Sequence, residues 1–147
     1  KSLREVCVES SLATAPTPGS LPLRQKIFRK QHELTAKLFR SGVSLLVGTD
    51  APVAFCTPGF AVHQELALLV EAGVAPAAAL QMATLKNAQT LPDRERLGSI
   101  EAGKLADIVI LDANPLAEIG NSRKIHKVIR GGKVCDPQAL FKLVASE

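Results

Sequence analysis

The segment Gly48-Thr-Asp-Ala-Pro52 carries the residue best placed to do chemistry, Asp50. It follows Val43-Ser-Leu-Leu-Val47, an apolar run suited to a strand covered on both faces. A carboxylate just past the C-terminal end of a buried strand stands where α/β folds place their reactive groups. There it can ligate a divalent metal, or accept a proton from a metal-bound water. Gly48 permits close backbone approach, and Pro52 narrows the conformations of the loop behind it. The same Asp also suits a capping or turn position, and three residues alone do not separate these readings.

The other candidates are weaker. His63 and Glu65 lie two apart on a predicted helix, so they face different directions rather than one metal. His63 can reach a cleft from the first turn, while Glu65 can pair with a neighbouring basic group. His32-Glu33 reads as a solvated pair inside a helix, and His126 as a structural residue in a strand. Asp107 and Asp112 bracket a strand and suit turn or rim positions. Ser44, Ser99 and Ser122 have no surroundings that would activate a nucleophile. Asn87 suits the end of a helix, where it satisfies backbone groups. No Gly-rich phosphate loop occurs.

The elements that must position Asp50 follow from periodicity. Ser10 to Leu23, with Pro16, Pro18 and Pro22, reads as a linker or long loop. From Leu23 to Arg40 the residues Ile27, Leu34, Leu38 and Phe39 recur near helical spacing, and Gly42 is placed to end that helix. A second helix is predicted from Phe60 to Ala72, with Val62, Leu66, Leu69 and Val70 as its apolar stripe and Gly73 as its stop. Pro76 opens a third, whose packing face is Leu80, Ala83, Ala88 and Leu91 and whose end is Pro92. Beyond Gly98 the period shortens. Ala106 to Leu111 and Ile125 to Arg130 read as strands, with Gly131-Gly132 turning tightly into Lys133-Val-Cys135.

Composition narrows the classes. The 147 residues allow one domain or a substantial piece of a larger protein, and 46% apolar content supplies a core. Aromatic residues make up 3%, with neither Trp nor Tyr, which argues against base-stacking platforms. The net charge of +4 is uneven: the first forty residues hold eight Lys or Arg against three acids, while Val43 to Ala72 holds neither Lys nor Arg. Scattered surface charge of this kind reads as a solvated face, and neither nucleic acid nor membrane is expected as a partner. Cys7, Cys56 and Cys135 fit neither a disulfide framework nor a zinc knuckle, which favours a reducing, cytoplasmic setting. No apolar run reaches the length of a membrane span. The sequence starts at Lys1 without a signal-peptide pattern, and an incomplete chain is expected.

From about Arg24 to Lys133 the chain resembles the metal-dependent amidohydrolase superfamily, in the branch of imidazolonepropionase-like enzymes and Xaa-Pro dipeptidases. SGVSLLVGTD (Ser41 to Asp50), FAVHQELALLVEAGVAPAAALQMAT (Phe60 to Thr84), LGSIEAGKLADIVILDANPL (Leu97 to Leu116) and IHKVIRGGKV (Ile125 to Val134) carry the resemblance, in that order. It implies an α/β fold: the C-terminal piece of a (β/α)8 barrel over residues 1–96, with its last helix, strand and following helices. Strands of a small β-sandwich and a tail follow over 97–147. It further implies that Val43 to Val47 is the eighth barrel strand. Asp50 is then a metal ligand and the acceptor of a proton from the attacking water, with His63 beside the pocket and Gly103-Lys104 making a turn of the sandwich. One departure is TLPDRERLG (Thr90 to Gly98), where Pro92 stands in place of the family's usual Gly.

The implied activity is hydrolysis of C–N bonds in cyclic amides or peptides through a metal-activated water, with zinc the expected ion of a complete enzyme. The family's His-x-His pair, its carboxylated Lys or Glu and its two further His ligands have no counterpart here. The chain alone is therefore expected to be inactive and to hold no metal tightly, since a zinc site needs about three protein ligands. Self-association or an upstream chain is expected to cover the exposed strand edge, giving a dimeric or rearranged α+β fold if the chain folds alone. The alternative is a non-catalytic structural or interaction protein derived from an amidohydrolase.

Overall fold

A computed structural model describes residues 19–51 and 56–136. The chain divides into two units, Lys1–Val74 and Ala75–Glu147. The proposed linker up to residue 18, the loop at Pro52 and the tail beyond residue 136 lie outside the described residues.

The first unit contains two helices, α1 (Leu21–Arg40) and α2 (Phe60–Glu71). Helix α1 starts two residues earlier than its periodicity suggested. Pro22 falls in its first turn, where a missing N–H removes nothing. Lys37 and Arg40 sit in its last turn, where cations favour the negative end of the helix dipole. Both helices close with the same pair of bonds. In α1 the N–H groups of Gly42 and Val43 donate to Phe39 and Leu38, and in α2 those of Gly73 and Val74 donate to Val70 and Leu69. The two helices touch, and Ala36, Ala61, Leu66 and Leu69 are buried. Small side chains at Ala36 and Ala61 suit close packing.

The expected strand Val43 to Val47 is not formed. These residues carry no ladder, and the single sheet among the described residues lies in the other unit. A strand exists only through partners that take its N–H and C=O groups, and no described strand of this chain pairs with it. Val43 and Leu46 are accordingly exposed.

The second unit opens with α3 (Pro76–Gln81), which runs into a π-helical turn, Met82–Lys86, and on to Ala88. The N–H of Asn87 reaches the Met82 carbonyl, and the Thr84 hydroxyl donates to the Leu80 carbonyl at 2.8 Å. The widened turn changes the phase of everything after it. Ala79, Met82 and Ala88 are buried, whereas Leu91, expected on the packing face, is exposed. A constant 3.6-residue period does not anticipate that slip.

Gly98 packs directly onto this helix. A Cβ there would lie 2.6 Å from Ala88 Cβ and 2.9 Å from Leu85 Cα, and its φ is +86°. Space and conformation both demand glycine.

Three antiparallel strands follow in the order β1 (Ile108–Leu111), β2 (Ile125–Arg130), β3 (Lys133–Cys135). Ile108 pairs with Ile129 and Ile129 with Val134, with an irregularity between Ile110 and Leu111. Strands β2 and β3 and their two-residue turn fall where the sequence put them. Gly131 and Gly132 both have positive φ, at 54° and 78°, as a primed turn requires. Strand β1 begins two residues later than expected. Asp107 is drawn out of the ladder, its carboxylate accepting the Gly131 N–H at 2.6 Å.

Candidate active-site loop

Asp50 lies on an exposed stretch between α1 and α2 and is the one described non-glycine residue with positive φ, at 52°. Asp tolerates this left-handed conformation better than most residues do. Local bonds flank it on both sides. The Thr49 hydroxyl accepts the Ala51 N–H at 3.3 Å, a side-chain turn across Asp50. The Thr49 carbonyl accepts the thiol of Cys56 at 3.0 Å. Ahead of α2, the Thr57 carbonyl accepts the Ala61 N–H at 2.9 Å, so Cys56 ties the Asp50 loop to the entrance of that helix.

A hollow of about 360 Å³ lies beside this loop, lined by Thr49, Cys56, Ala61, Gln64, Glu65 and Leu68, among others. Glu65 is half-buried there, and burial pushes its carboxyl above the usual carboxylate range. His63 is half-buried on the first turn of α2. The hollow thus brings together the loop and the polar face of α2. Sequence reasoning missed the parts of Thr49 and Cys56, because a contact over seven positions has no periodic signature.

The remaining candidates take structural places. The His32 ring lies tilted against Phe28 with ring centroids 4.3 Å apart, and Glu33 pairs with Lys30 at 2.6 Å. His126 Nδ1 meets Asp112 at 2.9 Å, on the surface. Asp107 and Asp112 are therefore turn and rim residues, as their spacing suggested. Ser99 donates to Glu101 at 2.6 Å and accepts a bond from Lys104. The lysine donates to that hydroxyl rather than taking its proton, so Ser99 gains no base and the trio acts as a clasp across the Gly103 turn. A second hollow, of about 480 Å³, lies within the other unit between the π-turn and β1, with Ala83, Leu91, Ile100 and Val109 in its largely apolar wall.

A metal centre can be tested against this donor set. Among the described residues no group of three or more His, Cys, Asp and Glu side chains lies close enough together to hold an ion. Asp50 and His63 therefore do not make up a metal site with their described neighbours.

The model of the Amidohydrolase family matches residues 3–135, nearly the whole sequence. The chain belongs to the amidohydrolase family. A 5-methylthioadenosine/S-adenosylhomocysteine deaminase of Thermoanaerobacter pseudethanolicus is 39% identical over 130 residues, which cover 76% of this chain and 30% of that protein. An imidazolonepropionase of Syntrophobacter fumaroxidans is 26% identical over 132 residues, 86% of this chain and 30% of that protein. Among solved structures, a Xaa-Pro dipeptidase with methionine bound in its active site matches with a TM-score of 0.66 at 33% identity, over 71% of this chain and 25% of that one. The expected kinship with the imidazolonepropionase and Xaa-Pro dipeptidase branch of the amidohydrolases holds. This amidohydrolase chain spans 20–30% of the length of the curated relatives it matches.

Proposed function

We propose that this chain is the C-terminal portion of a metal-dependent amidohydrolase that hydrolyses C–N bonds in small cyclic amides or peptides. The observation that carries the reading is the family match over residues 3–135 with Asp50 inside it. The relatives are named for a deaminase, an imidazolonepropionase and a Xaa-Pro dipeptidase, and attack of water on carbon bonded to nitrogen is a chemistry such names can share. Residues 1–96 would supply the last helix, strand and following helices of a (β/α)8 barrel, and residues 97–147 strands of a small sandwich and a tail. Val43 to Val47 would become a strand once neighbouring strands flank it. Asp50 would accept the proton of the attacking water, with His63 beside the pocket. The remaining ligands for a divalent ion, with zinc the first candidate, would come from outside this chain, on the same polypeptide or a partner. A cytoplasmic setting fits three cysteines whose spacing suits neither a disulfide framework nor a zinc knuckle.

A second reading, a non-catalytic interaction protein, is favoured by one observation. No described cluster offers three ligands.

Native mass spectrometry with metal content, followed by assay on a Xaa-Pro dipeptide and a purine nucleoside, separates the two. Alone, the chain should carry no stoichiometric metal and should not turn over either substrate. Supplied with the missing barrel polypeptide, it should enter a zinc-bearing assembly whose hydrolysis falls about a hundredfold or more in D50N. A metal-free chain that ignores that polypeptide would sink the hydrolase reading, and an active assembly indifferent to D50N would remove Asp50 from the chemistry.

A further inference from the structure

We propose that Thr49 is a positioning residue for Asp50, working with Cys56. The inference rests on the reading of Asp50 as the catalytic carboxylate and goes beyond it by naming what holds that carboxylate in place. Asp50 adopts φ 52°, a left-handed conformation that Asp tolerates better than most L-residues and that local bonds can hold in place. Thr49 supplies both constraints. Its hydroxyl accepts the Ala51 N–H at 3.3 Å, closing a turn across Asp50. Its carbonyl takes the Cys56 thiol at 3.0 Å, fastening the same turn to the segment that enters α2. The turn is thereby bonded to the segment leading into α2, whose Ala61, Leu66 and Leu69 are buried, whereas the run before it is largely exposed. With the turn closed, the Asp50 residue stays exposed, where a carboxylate remains available to a substrate or ion.

The two bonds make different chemical demands. Serine can replace Thr49 because it keeps the acceptor oxygen, whereas valine has the same shape without it. Serine can likewise replace Cys56 as a donor, whereas alanine cannot.

The test uses the 15.6 kDa chain itself, by NMR. The wild type should show the positive-φ signature at Asp50, in its amide coupling and intraresidue contact, together with a slowed Ala51 amide. T49V should lose the signature and speed Ala51 exchange about tenfold, the loss expected for one hydrogen bond in a locally opening loop. T49S should restore both, and C56A should weaken the signature where C56S does not. An Asp50 signature absent from the wild type, or unchanged in both T49V and C56A, overturns the proposal.

In the reconstituted assembly, T49V should lower kcat with little change in KM, and T49S should recover it. If D50N leaves turnover intact while the NMR results stand, the catalytic reading of Asp50 falls and Thr49 is left shaping a turn without a catalytic partner. If D50N abolishes turnover but T49V does not alter kcat, the positioning role alone is overturned.

Discussion

Glu65 shows how one side chain ties the hollow to stability. Burial raises its carboxyl above the ordinary value, so the folded chain keeps this proton to higher pH than the unfolded chain. The unfolded group titrates near 4.3. Below that value both states are protonated and no penalty exists. As pH rises past it, the unfolded state ionises first, and the folded state loses stability until its own raised pKa has been passed. E65Q should therefore be more stable than wild type in urea at pH 7 and equal to it near pH 3. Equal stability at both pH values would show that the hollow does not desolvate the carboxylate. Glu33 and Glu101 behave in the opposite sense. Hydrogen bonds, from Lys30 to Glu33 and from Ser99 to Glu101, hold both carboxyls below the usual range, so their small contributions are present at neutral pH and fade in acid. The sequence marked all three as acids. Only their surroundings decide the sign.

At the scale of elements, two contacts set the second unit. Gly98 lies against the helical segment at Leu85 and Ala88 with no room for a Cβ. G98A should lower stability by about 1–3 kcal/mol, through overpacking together with the strained φ, seen as a lower urea midpoint with an unchanged slope. An unaltered midpoint would mean that the helix and the loop separate easily in solution. The turn between β2 and β3 is held from outside by Asp107, whose carboxylate takes the Gly131 N–H at 2.6 Å, and the Ala106 carbonyl takes the Gly132 N–H at 3.1 Å. D107A should cost about 1 kcal/mol, and its effect should shrink sharply in a background already carrying G131A, because both act on one turn. Additive losses would separate them. The two-residue Gly-Gly turn was legible in the sequence, since its chemistry is local. The part of Asp107, 24 positions away, was not.

At the scale of the whole molecule, the described residues leave many large apolar side chains exposed. On α1, Leu23 (61% exposed), Ile27 and Leu34 lie on one side of the helix, as four- and seven-residue steps require. In the other unit Ile100 (79%), Val109 and Val134 (67%) are exposed. Large side chains left open in this number favour association. The native mass spectrum should accordingly show multiples of 15.6 kDa at micromolar concentration, and a strictly monomeric chain would count against self-association. No helix among the described residues is long and apolar enough to cross a membrane.

The sequence by itself determined what local chemistry determines. Helices α1 and α2 with their glycine ends, the β2–β3 hairpin, and the motif order that marks an amidohydrolase all follow from residues close together along the chain. Tertiary structure alone decided three things: that Val43 to Val47 runs without a ladder, that a π-turn shifts the packing face after Met82, and that Thr49 and Cys56 hold Asp50 between them. None of the three has a periodic signature in the sequence: a ladder needs a paired strand, a widened turn breaks the 3.6-residue period, and the Thr49–Cys56 bond joins positions seven apart.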